Sequence, residues 1–349
     1  SQDGGTTMAS HSELIYALNK DGESVCISDV PSGLECNCVC PACGASLIAK
    51  KGAKRMHHFA HYKSKNCEYG YESSLHLAAK EILLHSKKIM IPPVYVTFPS
   101  ASKPRELISK AMEIEIERVE LERRFDDIIP DIVVYAGNKF FFIEIFVTHP
   151  IDEEKLKKLE RHNISTIEID LSHIEKSIST EELSDILLKK DSRKKWKYNS
   201  VEKHWLKRFI KISDKRELIS RGLTIHVDGC PIAVRRWRGK AYANFYDDCI
   251  GCQYCISYNN NGYILCSGRT RISTKADFSI SEKDRIINSN IQKIRNRNQV
   301  FMNGRCPDCG NQLIIQKGNE GNFLSCSHYP YCKFKAVINE ETGEIVMQH

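Results

Sequence analysis

The sequence contains no long apolar run, and its first residues include no apolar stretch. A membrane-spanning helix needs roughly 18 or more consecutive apolar residues, and a secretory signal needs an apolar segment near the start of the chain. These absences predict a cytoplasmic protein without membrane spans. A long-range repeat is also missing, apart from recurring pairs of cysteines. The sequence therefore predicts several unlike modules.

Cysteine, in contrast, is abundant: the chain has 15 in 349 residues, and 41% of its residues are hydrophobic. So many cysteines would form disulfides in a small secreted protein, but this chain is long and its cysteines fall in C-x2-C pairs. This combination predicts zinc in a reducing cytosol, and the length predicts two or three domains. We expect small zinc modules around one larger domain.

The C-terminal cysteine module is the strongest motif in the chain. Cys306 and Cys309 form one pair, and Cys326 and Cys332 follow at the spacing C-x5-C. Four thiolates at this spacing make a closed tetrahedral zinc site, and a fragment this small has too little core to fold without the metal. The string CPDCGNQLIIQKGNEGNFLSCSHYPYCKF resembles the C4 zinc ribbons of bacterial type I topoisomerase tails.

That resemblance implies contact with single-stranded or distorted DNA. Aromatic side chains interleaved with lysines fit base stacking combined with phosphate contact. The alternative is that the aromatic residues pack the small ribbon itself. The candidate contacts are Phe323, Tyr329, Tyr331 and Lys333.

Two further cysteine groups predict zinc sites with competing ligands. In the middle group Cys230-Pro231 and Cys266-Ser267-Gly268 have the sequences of knuckle turns, which favours Cys230 and Cys266 as ligands. Cys255 would then occupy the position of a small hydrophobic residue and would not bind the metal. The middle ligands expected are Cys230, Cys249, Cys252 and Cys266. The N-terminal ligands expected are Cys40, Cys43, His58 and His61, with Cys36, His57 and Cys67 competing for the fourth place. Alternatively, the N-terminal histidines line a nearby active site.

Positive charge is concentrated in one segment. Between Lys189 and Lys240 there are 17 Lys/Arg and 5 Asp/Glu, a net charge of +12, which leaves −5 for the rest of a chain whose total is +7. Such a block is either a solvated helix surface or a contact surface for the phosphate backbone, and the zinc modules favour the second. The expected nucleic-acid contacts are Arg193, Lys194, Lys195, Lys197, Lys207, Arg208, Arg235 and Arg236.

The segment PDIVVYAGNKFFFIEIF, residues 130–146, predicts a tight β-hairpin, because Gly-Asn lies between runs rich in Val, Ile, Phe and Tyr. If Ala136 pairs with Lys139, then Asp131 pairs with Glu144, roughly 5 Å away on one sheet face. Two like charges there destabilise a sheet unless a cation lies between them, and a divalent metal is the natural candidate. The hairpin therefore suggests a Mg²⁺ or Mn²⁺ site for hydrolysis. The alternative is a frayed end with two solvated acids.

The preceding segment, from Glu72 to Lys88, predicts an amphipathic helix. Glu72, His76 and Lys80 recur every four residues and therefore share one face of that helix. Such a face exists in many helices for solubility alone. With the hairpin acids close in the fold, Glu72 could supply a third carboxylate to the metal.

The order helix, three strands, helix, strand, with Pro130-Asp131 and the acid Glu144, resembles the PD-(D/E)xK restriction-endonuclease-like superfamily. The strings CPACG, HFAH and ES-x2-H-x3-K are similar to those of CoiA-like competence proteins, over about a third of the chain. The resemblance implies an α/β (α+β) fold, with a restriction-endonuclease-like αβββαβ core flanked by small zinc-ribbon modules. It also implies a Mg²⁺-dependent DNA nuclease that acts in DNA processing, uptake or defence against foreign DNA.

The chain departs from the superfamily pattern at one position. The pattern has a lysine two residues after the second acid, where this chain has Phe146. The resemblance implies that Lys155 or Lys80 acts in its place on the attacking water, with His76 and His149 as further polar groups. The metal ligands it implies are Asp131, Glu144 and the carbonyl of Ile145. If no lysine reaches the site, the protein would instead be a non-catalytic DNA-binding adaptor in recombination.

These patterns divide the chain into six segments. DNA is the expected partner, while a scaffold that binds another protein, and a dimer, remain open alternatives. The segments are an N-terminal zinc-ribbon-like module (8–70), a nuclease-like domain (71–175), a basic helical segment (176–225), a middle cysteine-rich module (226–268), a polar linker (269–303) and a C-terminal zinc ribbon (304–349).

Overall fold

The computed structural model is a mixed α/β structure in which strands dominate and helices are few. It describes residues 13–63, 67–99, 105–175, 178–259, 262–289, 304–318, 321–338 and 345–347. The chain divides into two compact units, of which the first comprises residues 1–94 and 109–203 and the second residues 95–108 and 204–349. In the described part of the chain, every helix is too short or too polar to cross a membrane.

The elements are numbered here in chain order. The helices are α1 (Gly70–Leu84), α2 (Glu153–His162), α3 (Thr180–Leu188), α4 (Ser200–Lys211) and α5 (residues 282–289). The strands are β1 (Tyr16–Leu18), β2 (Ser24–Cys26), β3 (Leu47–Lys50), β4 (His58–His61), β5 (Lys88–Ile91), β6 (Val94–Thr97), β7 (Arg105–Ser109), β8 (Met112–Glu115), β9 (Arg118–Leu121), β10 (Ile132–Ala136), β11 (Lys139–Phe146), β12 (Thr166–Asp170), β13 (Lys194–Tyr198), β14 (Asp214–Glu217), β15 (Ile219–Arg221), β16 (Thr224–Asp228), β17 (Arg235–Trp237), β18 (Lys240–Asn244), β19 (Cys255–Asn259), β20 (Tyr263–Cys266), β21 (Leu313–Gly318), β22 (Gly321–Cys326), β23 (Lys335–Ile338) and β24 (Ile345–Met347).

A five-stranded sheet in the order β13-β12-β11-β10-β9 forms the centre of the first unit. Only β11 and β12 are parallel among its neighbouring pairs, and α2 connects them. The hairpin of β10 and β11 has the predicted register, with Ala136 opposite Lys139. Gly137 and Asn138 both have positive φ, at 55° and 61°, as a two-residue hairpin turn requires. The local sequence therefore fixes which residues face each other in this hairpin.

One buried cluster holds the first unit together. It includes Leu75 and Leu83 on α1, Ile143 on β11, and also Leu47 and Phe59 from the N-terminal hairpin of β3 and β4. The predicted zinc-ribbon-like and nuclease-like segments thus share one hydrophobic core. Burial of one face of α1 against this core leaves its other face to carry Glu72, His76 and Lys80.

The second unit contains three small sheets outside its C-terminal ribbon. Their strand orders are β14-β20-β19, β15-β16-β18-β17 and β6-β7. Phe209 on α4 packs edge-on against Phe98 and Phe278, with ring centroids 4.9 and 5.1 Å away. The ribbon itself is the antiparallel sheet β21-β22-β23-β24.

The structure differs from one of the predicted segments, and part of another lies outside the described residues. The segment 176–225 contains α3 and α4, but its residues 194–198 form strand β13 of the main sheet and its end forms further strands. The sequence Lys-Lys-Trp-Lys-Tyr alternates with a period of two, which suits a strand better than a helix. The predicted linker 269–303 includes α5, and its residues 290–303 lie outside the described residues.

Candidate active site and zinc clusters

Asp131 and Glu144 occupy neighbouring positions at the end of the central hairpin. Asp131 directly precedes β10, and Glu144 lies in β11, one step beyond the outermost pair of the hairpin, Ile132 with Ile143. The backbone N–H of Ile145 donates to Asp131 Oδ2 at 2.9 Å, which ties the start of β10 to β11. The Glu144 residue is only 8% exposed. The acid pair is therefore an ordered part of the hairpin and not a frayed, solvated end.

Helix α1 brings a cationic side to Asp131. The Nδ1 atom of His76 lies 3.6 Å from Asp131 Oδ2, and Lys80 Nζ lies 3.5 Å from Asp131 Oδ1. Lys80 also forms an ion pair of 2.8 Å with Glu122. Glu72, one turn before His76, has its Oε1 atom 4.0 Å from His76 Nε2. The helix face predicted from the spacing of these residues thus points at the acid pair.

Helix α2 brings a second lysine to Glu144. Lys155 Nζ lies 2.6 Å from Glu144 Oε2 and also 3.4 Å from the carbonyl oxygen of Ile129. Asp152 caps the start of this helix by accepting the N–H of Lys155 at 2.7 Å. Phe146 occupies the sequence position of the superfamily lysine, and it is half-buried. Of the two lysines considered as replacements, Lys155 contacts the second acid and Lys80 the first.

The surroundings separate the pKa values of the two acids. Burial opposes ionisation of Asp131, but the hydrogen bond and charge of His76, the Ile145 N–H and the charge of Lys80 hold its pKa at about 2. Burial raises the pKa of Glu144 to about 7; Lys155 acts against this rise and the charge of Asp131 adds to it. Asp131 is therefore ionised at neutral pH, while Glu144 exchanges its proton there. Such a division of two carboxyl groups is typical of acid–base sites.

Two residues that the sequence analysis did not single out support the site. Glu168 on β12 lies beside Glu144 in the parallel register, accepts the N–H of Ile151 at 2.8 Å and lies 3.3 Å from Lys197 Nζ. It thereby anchors the loop that leads into α2 and Lys155. The signal in the sequence is an acid between the two isoleucines of the strand Thr-Ile-Glu-Ile-Asp.

Thr148 is the second supporting residue, and it links His149 to the site. Its hydroxyl donates to Glu72 Oε1 at 2.6 Å and lies 2.8 Å from His149 Nδ1. His149 is therefore linked to the site through Thr148 and Glu72. A threonine between a strand and a helix carries no sequence signal for such a role.

The donor set suits a hard cation, although the acids do not require one. Glu144 Oε1 is buried and has no hydrogen-bond partner among the described residues, so it is available to a ligand. Carboxylate and carbonyl oxygens are the ligands that Mg²⁺ prefers. Lys80, His76 and Lys155 lie beside the two acids and provide the cationic partners that the sequence analysis required, so a divalent ion is not needed for that purpose. Within the described residues, this pair is not one of the groups that bring three metal-binding side chains within 4.8 Å of one another.

The N-terminal cluster is one such group, with a changed fourth ligand. Cys40, Cys43, His61 and Cys67 lie together, and Cys43 Sγ is 3.3 Å from His61 Nε2. His58, which was expected as a ligand, is buried and its Nδ1 lies 2.9 Å from the carbonyl oxygen of Met56. The physical reason is that residues 58–61 form strand β4, where positions three apart point to opposite faces. Cys67, one of the competitors, takes its place, and the set suits structural zinc.

The C-terminal cluster has the four predicted thiols. Cys306, Cys309, Cys326 and Cys332 lie together, with sulfur–sulfur distances of 3.7 Å for Cys306–Cys332 and 3.3 Å for Cys309–Cys326. Burial opposes ionisation of Cys309, but hydrogen bonds from the Asn311 side chain and backbone lower the pKa of its thiol to about 6. A deprotonated thiol is the form that binds zinc. Four thiols so close together suit a closed structural zinc site.

The middle thiols have a looser arrangement. Cys230, Cys249, Cys252, Cys255 and Cys266 all line one cavity of the second unit. Among the described residues, no three of these five sulfurs lie within 4.8 Å of one another, in contrast to the sulfurs of the other two clusters.

Some of the residues predicted to contact nucleic acid have side chains that contact other parts of the protein, and others have exposed side chains. Lys194 is buried and donates to the carbonyl oxygen of Met90 at 2.5 Å, so the expectation that it contacts phosphate was wrong. Five others have internal partners: Arg193 with the Asp170 carbonyl, Lys197 with Glu168, Arg208 with the rings of Trp205 and Phe278, Arg235 with Asp248, and the exposed Arg236 with the Gly239 carbonyl. The side chains of Lys195, Lys207, Arg236 and Lys333 are exposed.

The ribbon aromatics divide in the same way. Tyr329 and Tyr331 are 66% and 86% exposed, which leaves both rings free for stacking. Phe323 is half-buried, with Lys335 Nζ 5.1 Å from its ring centroid. Phe334 is buried within the ribbon core beside the zinc thiols. The packing alternative therefore applies to Phe334, and the tyrosines are the candidates for base contact.

Comparison with known proteins matches two parts of the chain. Residues 34–70 match the family model of the competence protein CoiA N-terminal domain, and residues 303–341 match that of the topoisomerase DNA-binding C4 zinc finger. No solved structure matches the chain.

Several curated proteins are similar to a short stretch of the chain. DNA topoisomerase 1 of Campylobacter jejuni is 43% identical over 37 residues, which are 11% of this chain and 5% of that protein. DNA topoisomerase 1 of Methanocaldococcus jannaschii is 50% identical over 36 residues, 10% of this chain and 5% of that protein. The uncharacterized protein YrdD of Escherichia coli K12 is 50% identical over 48 residues, 14% of this chain and 27% of that protein. The chain therefore spans only a small part of each of these relatives.

The two family-model matches cover CPACG and HFAH in the first and the four-cysteine string in the second, whereas ES-x2-H-x3-K, Pro130-Asp131 and Glu144 lie outside both. The chain thus combines a CoiA-type N-terminal domain with a topoisomerase-type C4 zinc ribbon.

Proposed function

We propose that this protein is a metal-dependent deoxyribonuclease that hydrolyses phosphodiester bonds in single-stranded or distorted DNA. The observation that carries the proposal is the convergence of three elements on one acid pair. Helix α1 directs His76 and Lys80 to Asp131, helix α2 directs Lys155 to Glu144, and the hairpin holds the two acids together. Structural ion pairs rarely gather from so many elements around a buried carboxyl group whose pKa lies near neutrality.

The proposed metal ligands are oxygen atoms at the end of the central hairpin. Asp131, Glu144 and the carbonyl of Ile145 would hold Mg²⁺ or Mn²⁺, which would polarise the scissile phosphate and lower the pKa of a bound water. Asp131 stays ionised throughout the neutral range because of His76 and Lys80. The Oε1 atom of Glu144, which has no hydrogen-bond partner among the described residues, would bind the metal, while its Oε2 atom pairs with Lys155.

Lys155 has the role that the superfamily gives to its motif lysine. Its ammonium group is fixed 2.6 Å from Glu144 Oε2 and presents a positive charge beside the proposed phosphate position. A cation held there stabilises negative charge that develops on the phosphate in the transition state, or orients the attacking water. Glu168 and Asp152 hold the loop and the helix start that place this lysine.

The surrounding modules support DNA as the substrate. The ribbon is similar to a DNA-binding zinc finger and exposes Tyr329 and Tyr331, and the order α1, β9–β11, α2, β12 agrees with a restriction-endonuclease-like core. Aromatic rings beside lysines bind single-stranded nucleic acid without base preference. Competence-related DNA processing is the biological setting that the CoiA-type match suggests.

The test is DNA cleavage by the full chain with Mg²⁺ or Mn²⁺ on single-stranded, duplex and branched DNA. We expect Lys155→Ala to lower the cleavage rate by about 10²–10³-fold, as loss of one transition-state donor does. Lys158→Ala is the matched control, because Lys158 lies on the same helix but pairs only with the exposed Glu154 at 2.7 Å. Equal cleavage by the two variants, or by Asp131→Ala and the unaltered protein, would refute the catalytic assignment.

A non-catalytic DNA-binding adaptor is the second candidate function. Phe146 at the position of the motif lysine is the observation that favours it. This function predicts DNA binding that weakens with salt, survives Glu144→Ala and occurs without turnover of any substrate. The same cleavage assay, combined with a binding titration at two salt concentrations, separates the two functions.

A further inference from the structure

Five thiols of the second unit surround one small cavity. The cavity has a volume of about 20 Å³ and is lined by Cys230, Cys249, Cys252, Cys255 and Cys266. A space of about 10–15 Å³ on this measure already holds a water molecule, so the cavity accommodates one small ion. Zinc takes four sulfur ligands in a closed structural site, which leaves one of the five thiols over.

The two compact zinc clusters show what surrounds a metal-binding thiol in this chain. Within them, six sulfurs accept a hydrogen bond from the backbone N–H two residues further on: Cys40, Cys43, Cys306, Cys309, Cys326 and Cys332. The sulfur of Cys326, for example, lies 3.4 Å from the nitrogen of His328. These hydrogen bonds stabilise the thiolate that binds the metal.

Cys252 and Cys266 in the middle cavity have the same surroundings. Cys252 accepts the N–H of Tyr254, and Cys266 accepts that of Gly268 at 3.4 Å. Cys255 differs, because it begins strand β19 and the residue two positions on, Ser257, is paired with Leu265 in the sheet. Its position is that of a buried strand residue.

The turns that carry Cys230 and Cys266 are fastened to each other. Arg271 donates to the carbonyl oxygen of Pro231 at 3.1 Å and to that of Gly268. A side chain at Gly268 would meet both Cys266 Sγ at 3.2 Å and the Pro231 ring at 3.4 Å. The bare glycine therefore lets these two cysteine turns approach each other from distant parts of the sequence.

A cation lines the same cavity. Arg216 donates through Nη1 to the carbonyl oxygen of Gly229 at 2.8 Å and through Nη2 to Asp214 at 3.3 Å, while its Nε is buried without a hydrogen-bond partner in the described part of the chain. Four thiolates around Zn²⁺ leave a net charge of −2, and such a charge in a buried site needs a compensating partner. An unsatisfied guanidinium donor beside the sulfurs meets this requirement.

We propose that Cys230, Cys249, Cys252 and Cys266 bind one zinc ion in the second unit, with Arg216 as its counter-charge and Cys255 as a buried non-ligand. Cys249 completes the set because it forms a C-x2-C pair with Cys252 and lines the same cavity as the other thiols. The wider spacing of these sulfurs agrees with a site that contracts on metal binding, since metal binding and local folding are coupled. The proposal does not depend on nuclease activity.

The test is the zinc content of the purified full chain by inductively coupled plasma mass spectrometry. We expect three zinc ions per chain in the unaltered protein and in Cys255→Ala, but two in Cys249→Ala. These two variants form a matched pair, because both remove one buried thiol from the same cavity. Two ions in the unaltered protein, or equal zinc content in the two variants, would overturn the proposal.

A second measurement needs no cysteine variant and so does not depend on variant folding. Cadmium-113 NMR of the cadmium-substituted chain reports the ligands of each ion, and we expect two four-sulfur sites and one site with three sulfurs and a nitrogen. A single four-sulfur resonance would contradict the middle site. Arg216→Met should make the third ion about tenfold easier to remove with a chelator, while Arg216→Lys retains it.

Discussion

Replacement of Glu144 by glutamine tests the electrostatic description of the acid pair without any catalytic assay. Glu144 is buried on β11 with Lys155 on one oxygen and no partner on the other. Burial raises the pKa of this carboxyl group from its ordinary value of 4.5 to about 7 in the folded protein. Glutamine keeps the shape and cannot ionise, so the comparison isolates the cost of holding a carboxylate at this position.

The sign and size of the effect follow from proton linkage. Below pH 4.5 both the folded and unfolded chains hold the proton, and the contribution of Glu144 to stability is fully present. Between pH 4.5 and about 7 the unfolded chain releases a proton that the folded chain retains, so the stability of the folded state falls. A pKa difference of this size corresponds to about 3 kcal/mol in the free energy of unfolding.

The assay is urea denaturation of the unaltered protein and Glu144→Gln across this pH range, in buffer free of Mg²⁺ and Mn²⁺. We expect the stability of Glu144→Gln relative to the unaltered protein to increase by about 3 kcal/mol from acid to neutral pH and then to level off. Loss of the Lys155 contact shifts the whole curve but not its pH dependence. Glu154→Gln, on the exposed surface of α2, is the control and should follow the unaltered protein. A stability difference between the two proteins that stays constant with pH would show that burial does not raise the pKa of Glu144, and would refute this description of the site.

Three further predictions concern the zinc clusters, the ribbon and the loop before α2. Cys67→Ser should lose one zinc ion per chain and His58→Ala none, as measured by metal analysis, because Cys67 and not His58 lies in the N-terminal cluster. Alanine at Tyr329 and Tyr331, whose rings are 66% and 86% exposed, should weaken single-stranded DNA binding by about 1–3 kcal/mol per stacked base without loss of zinc. Glu168→Ala should lower the cleavage rate about 10²-fold through misplacement of the loop, while Glu168→Gln, which keeps an acceptor for this loop, should restore most of it; equal rates would contradict the positioning role.

Local sequence was sufficient to predict the hairpin and the helix face. The Gly-Asn turn and the alternation around it determine the register of β10 and β11, and a period of four places Glu72, His76 and Lys80 on one side of α1. Both are short-range properties, so no knowledge of distant contacts was needed. The thiol sets of the C-terminal ribbon are predictable for the same reason, because their spacing allows one closed arrangement.

Residues whose roles depend on distant contacts were not predictable. The choice of Lys155 as the partner of Glu144 depends on how α2 packs beside β11, and the anchoring role of Glu168 depends on the parallel pairing of β11 with β12. Two errors, in contrast, came from the wrong period. The alternation of strand β4 separates His58 from His61, and that of β13 buries Lys194 while it exposes Lys195.

The physical cost at the acid pair is burial more than mutual repulsion. Two carboxylates roughly 5 Å apart repel each other by about 3 kcal/mol at an effective dielectric constant of about 20. The attraction of Lys80 and Lys155, which lie 3.5 and 2.6 Å from the two acids, exceeds that repulsion. The pKa of Glu144 nevertheless lies near 7, because its carboxyl group is removed from water. A bound divalent cation would favour the ionised form of this group and displace its proton. In the proposed function, metal binding and the ionisation of Glu144 would therefore be coupled, with metal binding favoured as the pH rises through the neutral range.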